Sequence, residues 1–278
     1  MNFISKRVLT AVCSVLMAAY FISGCGSTSE TSRPNLLDQI KQRGTIRVGV
    51  STFVPWAMRN KQGELVGFEI DVASRLAADA GLEIEFIPTA WDGIIPGLLA
   101  GKFDVIIAGM SITPARNLSV NFTRPYSHSE LLLAASRDEA GHLVDKADYD
   151  HADVTIAVRR GSTSVQAARK NFPSATIQQF DDDILAFQEV LNGNAEAVIA
   201  SSPKPEHEVL RNSDRLFIPF DEPLDRGAEA IAIRQGETDA LNFFDNWILL
   251  RTEDGWLKER RDYWFKTLDW EDDVAPDQ

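Results

Sequence analysis

Cysteine is nearly absent: the 278 residues hold two, Cys13 and Cys25. Both lie close to the N-terminus, so the rest of the chain has no thiol for a disulfide, a metal site or a nucleophile. Positive charge is also scarce. The 28 Lys and Arg stand against 41 Asp and Glu, a net charge of −13, which argues against a nucleic-acid binder with its basic footprint. No apolar run reaches the ~20 residues that a membrane-spanning helix needs. Signatures of nucleotide, zinc and hydrolase chemistry are missing too: there is no Gly-x-Gly-x-x-Gly, Walker loop, His-Glu-x-x-His or Gly-x-Ser-x-Gly. His128, His142, His151 and His207 lack metal-ligand spacing and read as surface or hinge residues. No cofactor and no metal are therefore expected. What remains is an ordinary globular composition, 44% hydrophobic and 25% charged, which excludes disorder and a polytopic membrane protein.

The N-terminus reads as an address. Lys6 and Arg7 precede an apolar stretch, Val8–Ile22, that ends in Ile22-Ser23-Gly24-Cys25. A charged start, a short apolar core and small residues before a cut describe a secretory signal. The Ile-Ser-Gly-Cys ending resembles a bacterial lipobox, which makes residues 1–24 a lipoprotein signal peptide and Cys25 the lipidated residue. Residues 25–36 would then hold the lipidated cysteine and a flexible tether. Removing the leader takes two positive charges and no acid, moving the net charge from −13 to −15. The expected product is a monomer in the periplasm or at the cell surface, held to the membrane by lipid.

From Asn35 onward, short apolar runs alternate with helical patterns, as in an α/β fold with largely parallel strands. Strands are expected at residues 45–50, 82–87, 103–108, 154–158, 175–179 and 195–200. Helices are expected at 67–80, 92–100, 114–118, 164–171 and 183–191. Phe68, Val72 and Leu76 recur every four residues, one buried face. The series runs twice, which gives two α/β lobes separated by a polar stretch at 137–152. The apolar segments 130–135 and 230–234 flank the second unit and are expected to cross between lobes.

Two places are built for an anion. After the strand at 103–108 comes Gly109-Met110-Ser111-Ile112-Thr113-Pro114-Ala115-Arg116. Thr113 before Pro114 reads as an N-cap with a first-turn proline, placing the Arg116 guanidinium beside the amides of the preceding loop. A positive helix end with a guanidinium fork suits a carboxylate. The second place is Gly161-Ser162-Thr163-Ser164, again between a strand and a helix. Taken alone, Arg116 could equally be a surface ion-pair partner, and the hydroxyls could only cap their helix.

The segments Gly44–Val50, Val66–Asp71, Ser111–Arg116, Phe122–Tyr126 and Asp254–Lys258 stand in an order that resembles the family-3 extracellular solute-binding proteins. These are the amino-acid-type receptors of ABC importers, and the likeness covers roughly residues 37–265. It implies the type II periplasmic-binding-protein fold, two α/β lobes joined by a two-strand hinge. Lobe one would be residues 37–127 plus 229–278, and lobe two 128–228. The resemblance also implies a small carboxylate-bearing ligand captured between the lobes, and a membrane permease as partner. By that likeness Arg116 grips the carboxylate, helped by Ser111 and the backbone at Gly109. Thr163, Ser162 and Gly161 contribute from the other lobe. Phe53 stands where the family has an aromatic against the ligand, Trp91 where it has an apolar wall, and Trp56 reads as core.

Two positions depart from the family pattern. Ser201 stands where an aspartate usually meets the ligand's ammonium group, and a hydroxyl cannot offset a buried ammonium. Asp181, Asp182 and Asp183 could supply the carboxylate, although acids beside a helix start commonly cap it. Arg159 and Arg160 stand where the family has an apolar or amide pair; an Arg159 pointing into the cleft would favour a second acidic group on the ligand. Two alternatives accompany the receptor. Cyclohexadienyl dehydratases share the fold, but Val165 occupies the position of their glutamate acid and cannot transfer a proton. A ligand sensor acting through a partner protein is the other.

Overall fold

Strand and helix starts follow from local chemistry. Asn35 caps the helix Leu36–Arg43 by accepting from the Asp38 amide, and Gly44 closes it in the left-handed region. The β-branched run Thr45–Val50 then forms β1. The computed structural model describes residues 34–275. The expected signal peptide and the lipidated Cys25 lie outside the described residues. Among the described residues, no helix is long and apolar enough to cross a membrane.

The strands, in chain order, are β1 (Thr45–Val50), β2 (Met58–Arg59), β3 (Leu65–Val66), β4 (Glu83–Pro88), β5 (Val105–Ile106), β6 (Val120–Phe122), β7 (Ser127–Ser136), β8 (Thr155–Arg159), β9 (Thr176–Phe180), β10 (Ala197–Ser201), β11 (Leu216–Phe217), β12 (Asp225–Glu229) and β13 (Ala232–Arg234). They group into two main sheets. One has the order β4-β1-β5-β13-β6, the other β11-β7-β10-β8-β9 with β12 beside β7. In the first, β1 runs parallel to β4 and β5 while β13 is antiparallel to β5 and β6. In the second, β8 is parallel to β9 and β10, and β7 is antiparallel to β10 and β12. Helices Phe68–Asp79 and Ile94–Leu99 pack on the first sheet, and Thr163–Asn171 and Asp183–Leu191 on the second. This is the type II two-lobe fold.

The expected elements appear with shifts of one or two residues, except that the strand expected at 103–108 pairs only at Val105–Ile106. The first crossing segment lies elsewhere than expected, and the second overlaps the start of its expected span. Residues 130–135 belong wholly to β7, and residues 230–234 run into β13 of the other sheet. The chain crosses at 123–127, ahead of the expected 130–135, and at 229–231, where Tyr126 N–H donates to Glu229 O and Thr123 N–H to Ile231 O. Apolarity pointed past the first crossing, because residues 123–127 are Thr, Arg, Pro, Tyr and Ser while the apolar run falls inside β7. The polar stretch 137–152 also holds a short helix, Arg137–Ala140, capped by Ser136.

Trp56 is core, 1% exposed, with its ring edge-on to Phe265 at 4.7 Å. The segment after helix Trp256–Lys266 does not trail into solvent. Trp270 is buried against Trp264 at 5.7 Å and His207 at 5.9 Å, and its indole N–H donates to Trp264 O and Thr267 O. Glu271 pairs with Arg211 of the helix Lys204–Arg211. His207, expected at the surface or the hinge, is buried with the Trp270 ring against it.

Candidate ligand cleft between the two lobes

Arg116 sits at the turn where β5 hands over to the short helix Pro114–Asn117. Thr113 Oγ1 caps that helix by accepting the Arg116 amide at 3.2 Å, and Pro114 takes the first helical position. The amide is thus committed, which leaves the guanidinium as the group able to hold an anion. It reaches across the gap between the sheets. Nη1 donates to Ser111 O at 2.8 Å, and Nη2 donates to Gly161 O, on the loop after β8, at 3.1 Å. Burial pushes its pKa down to about 10, which still leaves the cation intact at neutral pH.

On the facing lobe Ser162 caps the helix Thr163–Asn171, accepting from Ser164 N–H at 3.2 Å while its hydroxyl donates to Arg159 O at 2.7 Å. Gly161 takes φ +71°, and Gly109 φ +63° with a notional Cβ only 3.0 Å from the Trp56 ring, so glycine is needed at both turns. Arg159 points inward and is 6% exposed. Its Nη2 donates to Ser51 Oγ of the opposite lobe at 2.7 Å, and its Nη1 lies 3.5 Å from Asp183 Oδ2. The guanidinium stacks 5.0 Å from the Trp91 ring and 6.0 Å from Phe53, and Arg116 lies 5.4 Å from Trp91.

Phe53, Trp91, Gly109, Ser111, Arg116, Arg159, Ser162, Thr163 and Ser201 line one small cavity of about 40 Å³, joined by Ala108, Ser164 and Asp183. Gly161 touches it through Arg116. Of the three acids weighed in the sequence, Asp182 caps the helix Asp183–Leu191 and Asp181 pairs with Arg160. Asp183 alone enters the cavity, beside Ser201. Burial raises its pKa, while Arg159 and Lys204 pull it back. A larger chamber of about 330 Å³ adjoins, sharing Phe53 and Asp183 and otherwise lined by such residues as Val54, Met58 and Ile184. Arg59, Asp182 and Lys204 also line this chamber, whereas Arg116 and Arg159, the two guanidinium groups that meet across the lobes, line the smaller cavity.

Sequence reasoning missed two buried acids behind the cleft. Glu229, at the end of β12, accepts from Ser129 Oγ at 2.7 Å and Ser111 Oγ at 3.2 Å. Ser111's hydroxyl proton is thereby engaged, so the side chain faces a ligand as an acceptor. Glu69 accepts from Tyr126 Oη at 2.5 Å. Desolvation pushes Glu229 to about 7 and Glu69 to about 8. Neither carried a signal beyond an acid inside an apolar pattern. Among the described residues, no cluster of His, Cys, Asp and Glu could hold a metal.

Residues 46–267 match the model of the bacterial extracellular solute-binding proteins, family 3. The chain belongs to this family. It is 27% identical over 251 residues to the L-cystine-binding protein TcyJ of Escherichia coli K12, covering 90% of this chain and 93% of that one. It is 24% identical over 241 residues to the cyclohexadienyl dehydratase of Pseudomonas aeruginosa, covering 86% and 90%. Among solved structures, the ancestral amino acid-binding protein AncCDT-1, a precursor of cyclohexadienyl dehydratase, superimposes with TM-score 0.75 at 36% identity, covering 84% of this chain and all of that one. A family of binding proteins with an enzyme among the relatives makes the cleft's own chemistry the deciding matter.

Proposed function

We propose that the protein is an extracytoplasmic receptor that captures an amino acid between its lobes and presents it to the membrane permease of an ABC importer. The carrying observation is Arg116, a half-buried cation that touches both lobes through Ser111 O and Gly161 O. In this reading the ligand's α-carboxylate takes the guanidinium fork. Ser111 Oγ and the Gly109 backbone lie beside it, and Gly161, Ser162 and Thr163 close from the second lobe. Asp183 meets the ammonium in place of the aspartate that Ser201 lacks. Phe53 and Trp91 supply apolar walls. Lobe one comprises residues 37–127 with 229–278, lobe two 128–228, and closure is favoured because only the closed state makes both sets of contacts.

Val165, buried in the helix Thr163–Asn171, cannot serve as a general acid, so the reading is binding without turnover. Cleavage before Cys25 and lipidation there would hold a monomeric receptor at the membrane, in the periplasm or at the cell surface.

A thermal-shift panel of L-amino acids and of amine-free mono- and dicarboxylates tests this reading. At 100 times the dissociation constant, binding adds about 2.7 kcal/mol, which for a chain of this size raises Tm by roughly 5–10 °C. A panel in which no amino acid moves Tm would remove the proposal.

A further inference from the structure

Arg159 is the anomaly of the cleft. It is nine-tenths buried, yet its Nε has no hydrogen-bond partner. Its Nη2, the other arm of the same edge, rests on the Ser51 hydroxyl at 2.7 Å. The Nε–Nη2 edge is the fork with which arginine takes a carboxylate through two parallel hydrogen bonds. Here one arm is bare and the other is held by a neutral hydroxyl that a carboxylate oxygen can displace. A buried donor left unpaired is costly and calls for an explanation.

The charge balance points the same way. The charged groups lining the cavity are Arg116, Arg159 and Asp183. Two cations and one carboxylate leave one uncompensated positive charge in a site that closure removes from water. Asp92 and Asp182 also act on Arg159, but neither lines this cavity: Asp92 is exposed and Asp182 lies in the adjoining chamber. A ligand carrying one net negative charge closes the balance. A neutral amino acid leaves an excess of one, and arginine or lysine an excess of two. An amine-free monocarboxylate also balances the charge, but it leaves the Arg159 Nε bare and brings no ammonium to Asp183.

Resting on the receptor reading above, we propose that Arg159 is a specificity residue for a second carboxylate, and that the ligand is an acidic amino acid with two carboxylates and one ammonium. The α-carboxylate lies on Arg116 and the ammonium on Asp183. The side-chain carboxylate takes the Nε–Nη2 edge of Arg159 with Ser51 beside it. Trp91 packs against both guanidinium groups, so one indole holds the two forks in place. The side chain length that fits is a matter for a homologous series.

Calorimetric titration at pH 7 with L-aspartate, L-glutamate and L-2-aminoadipate, beside L-glutamine, L-arginine and propionate, tests the assignment. One of the three dicarboxylic acids is expected to bind tightest, about 30-fold or more better than glutamine, as for a site built to bond a charged group. Arg159→Gln is expected to bring that acid and glutamine within about threefold of each other without losing glutamine. Should the variant fail to fold, the wild-type ranking stands as the test. Glutamine, arginine or propionate binding tightest would overturn the Arg159 assignment; for the two amino acids the receptor reading survives. Absence of binding by every amino acid would overturn the receptor reading, and this inference with it.

Discussion

Arg116→Ala is expected to weaken ligand binding by about 100- to 1,000-fold, the range seen when one partner of a buried, hydrogen-bonded charge pair is truncated. Two losses combine. The ligand carboxylate would be desolvated against no cation, and Gly161 O would lose the donor that ties the second lobe to the first. The fold should survive, because Arg116 is only half-buried and packs in no core cluster. Arg116→Lys keeps the charge but not the fork, so it should fall between the two. Calorimetry of all three proteins, with unfolding midpoints measured without ligand, checks this. Full affinity in Arg116→Ala would mean that the carboxylate is held elsewhere.

Stability should fall as pH rises from about 5 to about 8.5. Glu69 and Glu229 titrate in the folded protein near 8 and 7, in each case because burial penalises the carboxylate more than hydrogen bonding from Tyr126, or from Ser129 and Ser111, favours it. In the unfolded chain both titrate near the ordinary 4.5. Between those values the folded state binds more protons than the unfolded one, so the unfolding free energy decreases with pH. The stabilisation is complete below about 4.5 and lost as pH passes through 7 to 8, with a slope of up to about 1.4 kcal/mol per pH unit for each group. Urea unfolding at a series of pH values measures it. Glu69→Gln, which still accepts from the Tyr126 hydroxyl, should flatten the curve. A flat or rising wild-type curve would contradict the account.

Much of the cleft was legible before any coordinates because its residues sit at element boundaries, where sequence signals are strongest. Thr113-Pro114 announced a helix start, which placed Arg116 against the loop from Gly109 to Ser111. Gly161 and Ser162 did the same for the facing lobe. What the sequence hid depends on side-chain direction in three dimensions. Asp181, Asp182 and Asp183 are alike as letters, yet the first pairs with Arg160, the second caps a helix and the third turns into the cavity. Arg159 and Arg160 part in the same way: Arg159, the last residue of β8, turns into the cavity, while Arg160, in the turn that follows, pairs with Asp181 at the surface. Glu69 and Glu229 were invisible for another reason. Each follows its secondary-structure pattern, and only the buried Tyr126, Ser129 and Ser111 around them reveal that a carboxylate belongs there. The first crossing escaped because Thr123-Arg124-Pro125-Tyr126-Ser127 holds no apolar run, whereas the apolar run at 130–135 lies inside β7.

The account rests on one placement, the ligand's α-carboxylate on the Arg116 guanidinium in the small cavity between the lobes. A crystal structure of the protein with the tightest-binding amino acid from the titration series tests it most directly. The account predicts the α-carboxylate within hydrogen-bond distance of Arg116, the ammonium beside Asp183 and a second carboxylate on the Nε–Nη2 edge of Arg159. A ligand seated instead in the neighbouring chamber beside Val54, Met58 and Ile184, with Arg116 still bonded only to Ser111 and Gly161, would contradict it.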